Sequence, residues 1–210
     1  MKKISVLFSL FAMMCLSLQT TAQKNQSAIN TSSDATRFFL DVHQLEPGKV
    51  TYADVAAAHQ KDLATQDKFG VNFIRFWVDE ADGLVYCLSS ASDCDKVRQT
   101  HAEAHGLIPT HVYEVTEGQA AAIQSGKNLF LDFHYLGAGK VTAQDVANAH
   151  TKDLATQGKY GVNFVNYWVD EKEGLVMCLS EAADSSDVIR THKEAHGLIP
   201  AKVLLVKQGE

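Results

Sequence analysis

From Phe38 to Leu45 apolar and polar residues alternate, with Leu40 and Val42 on one face and Asp41 and His43 on the other, the period of a half-buried strand. Pro47-Gly48 then supplies a turn, and Thr51-x-x-Asp54 opens a helix with a capping-box pattern that Gly70 closes. Val71–Asp79, rich in Val, Phe, Ile and Trp, predicts a second strand. A turn at Asp79–Gly83 leads into a third strand, Leu84–Ser89. A second helix follows from Asp93 to His105, and Val112–Val115 predicts a fourth strand. The order β-α-β-β-α-β is the ferredoxin-like pattern, two helices on one face of a four-stranded antiparallel sheet.

The same pattern then repeats. Residues 38–115 align without a gap on 129–206 at an offset of 91, and 49 of the 78 positions are identical. So long a period describes two small domains rather than a solenoid. The chain therefore reads as α+β, two tandem ferredoxin-like (βαββαβ) domains with antiparallel sheets. Phe133 and Tyr135 strengthen the face of Leu40 and Val42 as core. A lone copy would leave one sheet face bare, so the copies are expected to pack as an intrachain pseudo-dimer with Trp77 and Trp168 between the sheets. Residues 116–128 read as a linker with one weak helical turn.

Ahead of the first copy, Met1-Lys2-Lys3 is followed by an apolar run from Ile4 to Leu18 and by small residues up to Ala22. This is a secretory signal pattern, expected to be cleaved after residue 22, and it predicts a secreted, periplasmic protein with no stable membrane insertion. Residues 23–37 form a polar, flexible leader. Losing Lys2 and Lys3 takes the formal charge from −6 to −8. No basic patch stands out, which argues against nucleic acid as a partner. Cys94 has Ser185 in its place in the second copy, so Cys87, Cys94 and Cys178 do not form a disulfide framework.

Candidate chemistry sits on the histidines. Eight of the nine recur as matched pairs: His43 with His134, His59 with His150, His101 with His192 and His105 with His196. His101 and His105, four apart at the end of a helix and followed by Gly106, share one face and are the leading metal candidates, as are His192 and His196. The competing reading has one ring packed beside Val97 and the other topping the helix C-terminus. His59 shares a helix stripe with Asp62, and His43 stands beside Asp41. Each is a weaker ligand candidate, with a hydrogen-bonded interior histidine the alternative. Cys87 and Cys178 lie in apolar strands and read as buried thiols, with thiolate ligation the alternative. No phosphate-cradling loop and no nucleophile motif is present.

Several of these stretches recur together: His-x-x-Asp-Leu-Ala-x-Gln-x-Lys-[Phe/Tyr]-Gly-Val-Asn-Phe at 59–73 and 150–164, and Trp-Val-Asp-Glu at 77–80 and 168–171. Cys-Leu-Ser at 87–89 and 178–180 and the His-x-Glu-Ala-His-Gly-Leu-Ile-Pro runs complete the set. Together they resemble the family of small ferredoxin-like nickel-binding proteins. That resemblance implies a dimeric ferredoxin-like arrangement and a bound divalent metal, nickel first, with copper or zinc also suited to nitrogen and oxygen donors. Ser90, where the second copy has Glu181, marks a departure that would weaken the first site if that acid is a ligand. Two other readings are a non-catalytic interaction module with structural histidines, and an enzyme resembling the small α+β-barrel oxygenases with a cavity between the sheets.

Overall fold

The computed structural model describes residues 35–124 and 126–210, and the expected signal segment lies outside them. The first copy contributes β1 (Arg37–Gln44), α1 (Tyr52–Thr65), β2 (Asn72–Asp79), β3 (Leu84–Ala91), α2 (Cys94–Ala104) and β4 (His111–Glu117). The second contributes β5 (Asn128–Tyr135), α3 (Ala143–Tyr160), β6 (Asn163–Asp170), β7 (Leu175–Ala182), α4 (Ser185–Ala195) and β8 (Lys202–Gly209). Both expected capping boxes form: Thr51 accepts from Asp54 N while Asp54 accepts from Thr51 N, and Thr142 and Asp145 do the same. α1 stops earlier than expected, at Thr65. A single 3-10 turn, Gln66–Lys68, carries the chain to Gly70, whose φ of 66° allows the reversal.

The eight strands close into one barrel in the order β1-β3-β2-β8-β5-β7-β6-β4. Each copy supplies the four-stranded ferredoxin-like sheet, and two short antiparallel seams join them. One pairs Phe76–Val78 of β2 with Lys207–Gly209 of β8; the other pairs Thr116 and Glu117 of β4 with Val169 and Trp168 of β6. Cross-copy ion pairs repeat the same relation: His111 lies 3.0 Å from Glu173, and Lys202 lies 3.3 Å from Asp82.

Strand alternation gives the structure two kinds of core. Between the sheets, Leu40, Leu88, Leu131, Met177 and Leu179 are fully buried around Trp77 and Trp168, whose rings sit 5.0 Å apart. The tryptophans thus pack in the inter-copy space where the enzyme reading had placed a cavity. Tyr135 is a correction. It stands at the end of β5, paired with Leu175, and is exposed rather than core.

The opposite sheet face carries the helices. Phe73 and Phe76 both belong to that helix-side core although they lie three positions apart. A bulge between Phe73 and Arg75 provides the extra residue that keeps both on one face, and Phe164/Asn166 repeats it. Past Glu117 the connection forms no helical turn over 118–124. It runs beside β6 instead, with Gly118 N donating to Tyr167 O at 2.8 Å and Ala121 N to Val165 O at 2.6 Å.

Candidate metal centre

Asp41 and His43 stand two apart on β1, so both point to the helix side, and Cys87 of β3 pairs directly opposite Asp41. α2 lies over this patch and brings His101 down from its last turn, while α1 supplies Asp62. His105 caps α2, and Gly106 (φ 79°) turns the chain away. Two overlapping sets of donor atoms result, each with its atoms within 4.8 Å of one another: Asp41, His43, Cys87 and His101, and Asp62, His101 and His105. The second copy repeats them as Asp132, His134, Cys178 and His192, and Asp153, His192 and His196.

His101 is the hinge between the two sets. Its Nε2 lies 3.3 Å from Asp41 Oδ2 and its Nδ1 lies 3.0 Å from Asp62 Oδ1. His105 Nε2 lies 3.1 Å from Asp62 Oδ1 and 3.2 Å from His101 Nδ1. The proton positions follow from a backbone contact. Leu107 N–H donates to His105 Nδ1 at 3.1 Å, so a neutral His105 carries its proton on Nε2 and gives it to Asp62. Asp62 then accepts from His101 Nδ1–H, and His101 Nε2 is the nitrogen whose lone pair can face a metal beside Asp41, His43 and Cys87. A carboxylate behind a metal-binding imidazole is the usual way to fix the ring and its tautomer. The deeper set thus needs no proton rearranged at His105. Ligation through His105 Nε2 would require breaking the contact to Leu107.

Burial and charge agree with that division. Burial alone would raise the Asp41 carboxyl, but the His101 and His43 rings outweigh it and hold the group at about 2. Burial would lower His101, yet Asp41 and Asp62 push its pKa up to about 10, and His192 stands at about 10 for the same reasons. With protons on both nitrogens His101 bridges the two acids as a cation. Burial drives the Cys87 and Cys178 thiols well above their ordinary range, with the nearby acids adding to it. One observation in each copy points to a cation. Asp41 Oδ1 and Asp132 Oδ1 are fully buried with no aligned hydrogen bond, although a histidine Nε2 lies 3.1 Å from each. A buried carboxylate oxygen with a free lone pair, among two imidazole nitrogens and a sulfur, suits a divalent ion.

Six of the ten residues named from sequence therefore lie in the deeper sets: His43, Cys87, His101 and their partners His134, Cys178 and His192. His105 and His196 stand in the outer sets. His59 and His150 belong to neither; they pack on Phe76 and Tyr167 instead, with ring centroids at 4.9 and 4.7 Å. Both ring nitrogens of His59 are buried without a partner, and desolvation lowers its pKa. The acids Asp41 and Asp62 had entered the sequence reading only as neighbours of histidines, and Asp132 and Asp153 had not entered it. Their signal was a carboxylate kept in both copies at positions where strand and helix face a core. Glu181 has a different task from the one suspected: its buried Oε2 accepts from Gln124 N at 2.6 Å and Asn163 Nδ2 at 2.7 Å, fastening the connecting segment.

Fold and site together define a duplicated α+β barrel, closed within one chain, with two equivalent candidate metal centres on its helix-covered faces. The chain belongs to the family described as nickel responsive protein SCO4226-like, whose model matches residues 39–115 and 130–206. Among solved structures, SCO4226 from Streptomyces coelicolor A3(2) is 35% identical over 37% of this chain and 93% of its own, with a TM-score of 0.35. A putative monooxygenase from Lactobacillus acidophilus NCFM is 12% identical over 82% of this chain and 93% of its own, at a TM-score of 0.45. A chlorite dismutase from Candidatus Nitrospira defluvii is 8% identical over 86% and 93%, at 0.49. No curated protein matches the chain.

Proposed function

We propose that the protein binds two divalent metal ions, one per copy, at Asp41, His43, Cys87 and His101 and at Asp132, His134, Cys178 and His192. The observation that carries this reading is the orphaned, fully buried oxygen of Asp41 and of Asp132 among three further donors. Asp62 and His105, with Asp153 and His196, act behind the ligands to set the tautomer of His101 and His192. Nickel is the metal that family membership supports. A mixed sulfur, nitrogen and oxygen set also accepts zinc and cobalt, and copper binds more tightly at a generic site of this kind. The apolar run at 4–18 supports export to the periplasm. Buried centres in an exported, acidic protein suit sequestration, sensing or delivery of the ion. The reading as structural histidines gains from rings that are buried, hydrogen-bonded and far apart; His101 is buried and bonded to Asp62, but His43 and His101 lie 4.8 Å apart by ring centroid.

Metal analysis of the purified chain, with titrations of nickel, copper, cobalt and zinc, tests the reading. Two saturable equivalents are expected, and one equivalent after His101→Ala. Absence of saturable binding at neutral pH, or binding unchanged when His101 and His192 are both replaced by alanine, overturns it. The mature N-terminus in a periplasmic fraction tests export.

A further inference from the structure

Three of the four members of each deeper set, all but Asp41 and Asp132, form part of the wall of a small cavity under the first helix of its copy. The cavity measures about 80 Å³ in the first copy and about 70 Å³ in the second. For scale, a water molecule takes roughly 30 Å³ of liquid and an engineered cavity of about 150 Å³ holds benzene, so two or three heavy atoms fit. His43, Cys87 and His101 line one part of the wall, and Leu45, Val50 and Val55 line another. Leu107, half exposed, stands at the rim. His59 also lines it, 2% exposed, with an N–H and a lone pair that find no partner in the protein. His134, Cys178, His192, His150 and Leu198 repeat the arrangement in the second copy. A buried imidazole with both nitrogens idle, across an apolar space from metal donors, is what a ligand-binding wall requires.

Resting on the metal reading above, we propose that this cavity admits a compact, uncharged molecule of two or three heavy atoms to the metal, with His59 as its hydrogen-bonding partner. The preference for an uncharged guest follows from the charges present. A divalent ion is balanced by the Asp41 carboxylate and the Cys87 thiolate. The Asp62 and Asp54 carboxylates lie on the same wall with the His59 and His105 rings, and beyond the metal donors the remaining lining is alkyl. An anion entering there would give up its water for a neutral centre beside a negative charge. The centre is thus a place where a small molecule meets a metal, beyond a store for the ion.

The full chain loaded with cobalt(II), whose visible absorption reports its coordination, tests this with two small probes under anaerobic conditions. Nitric oxide is the neutral probe and azide the anionic one. Nitric oxide is expected to change the cobalt spectrum at both centres and azide to bind more weakly. His59→Leu should keep the cobalt content and weaken nitric oxide binding at the first centre about three- to tenfold. Leu107→Trp, a surface change that leaves the fold intact, should hinder entry to that same centre and leave the second as it was. Cobalt that loads but responds to neither probe overturns the inference. So does azide binding more tightly than nitric oxide, or an affinity unmoved by both substitutions. Failure of nickel, copper, cobalt and zinc all to load overturns the metal reading itself, and this inference with it.

Discussion

The two candidate centres and the two barrel seams descend from the same duplication and have fared differently. In the centres, the contacts from His101 to Asp62, His105 and Asp41 are 3.0, 3.2 and 3.3 Å, and their counterparts from His192 are 3.0, 3.2 and 3.4 Å. Every side chain in them is chemically identical between copies. At the seams the pairing is unequal. Trp77 Nε1 donates to Gln208 at 2.8 Å, but Trp168 Nε1 is buried without a partner. Glu117, which matches Gln208, accepts from Asn166 instead. Where Glu181 anchors the connecting segment, Ser90 stands at the matching position. The difference has a physical cause. β4 must run on into a connection that crosses β6, so that seam has different neighbours to satisfy, whereas both centres keep the same surroundings within their own copies.

Removing a ligand gives the largest way to break the equivalence of the centres. His101→Ala is expected to abolish binding at the first centre and leave the second untouched, so inductively coupled plasma analysis should read one metal per chain. Next in size is pH. His101 holds its proton up to about 10, and burial raises the Cys87 thiol well above its ordinary range. Metal at the deeper set must displace both, about two protons per ion near neutrality. Affinity should therefore rise steeply with pH, about a hundredfold per unit, equally at both centres. Calorimetry in buffers of different ionisation enthalpy counts those protons.

The residues behind the ligands have smaller effects. Asp62→Asn or His105→Ala should weaken the first centre about 10- to 100-fold without removing it, since they orient His101 rather than bind. Metal titration of either variant decides it; complete loss of the centre in His105→Ala would make that residue a ligand. The seams come last. Glu181→Ala removes the acceptor shared by Gln124 N and Asn163 Nδ2, the latter keeping its bond to Ala122 O, and should lower stability by roughly 1–3 kcal/mol, while Ser90→Ala changes little. Urea unfolding compares them.

Without metal, the raised pKa of His101 and the lowered pKa of Asp41 have opposite signatures. The contribution of His101 is whole below its unfolded value of 6.5 and is lost as pH rises through about 10. That of Asp41 is whole above 3.8 and is lost as pH falls through about 2. Thermal melts of the metal-free protein should therefore decline on both flanks of that window.

Much of this was legible in the sequence because the signals were local and doubled. Alternation in Phe38–Leu45, the Thr51-x-x-Asp54 cap and the gapless offset of 91 were enough for the ferredoxin-like order and the paired copies. Trp77 and Trp168, in strands rich in apolar residues, pointed to the space between sheets. The i,i+4 spacing of His101 and His105 was correct as geometry but silent on protons. Only the contact from Leu107 N–H separates the two rings into a candidate ligand and its candidate support. Asp41 and Cys87 become neighbours through strand pairing, which no spacing along one strand reveals. The bulge at Phe73/Arg75 was equally hidden, since it depends on which residues the helices need to cover.

Closure of the barrel within one chain removes a dependence on concentration. Both seams are intramolecular, so the halves meet at an effective concentration set by the short connection rather than by how much protein is present. A barrel assembled from separate chains would come apart on dilution and uncover the edges of β2 and β4, which the present fold keeps paired. The two centres can therefore stay intact at protein levels far below those a loose pair of subunits would need.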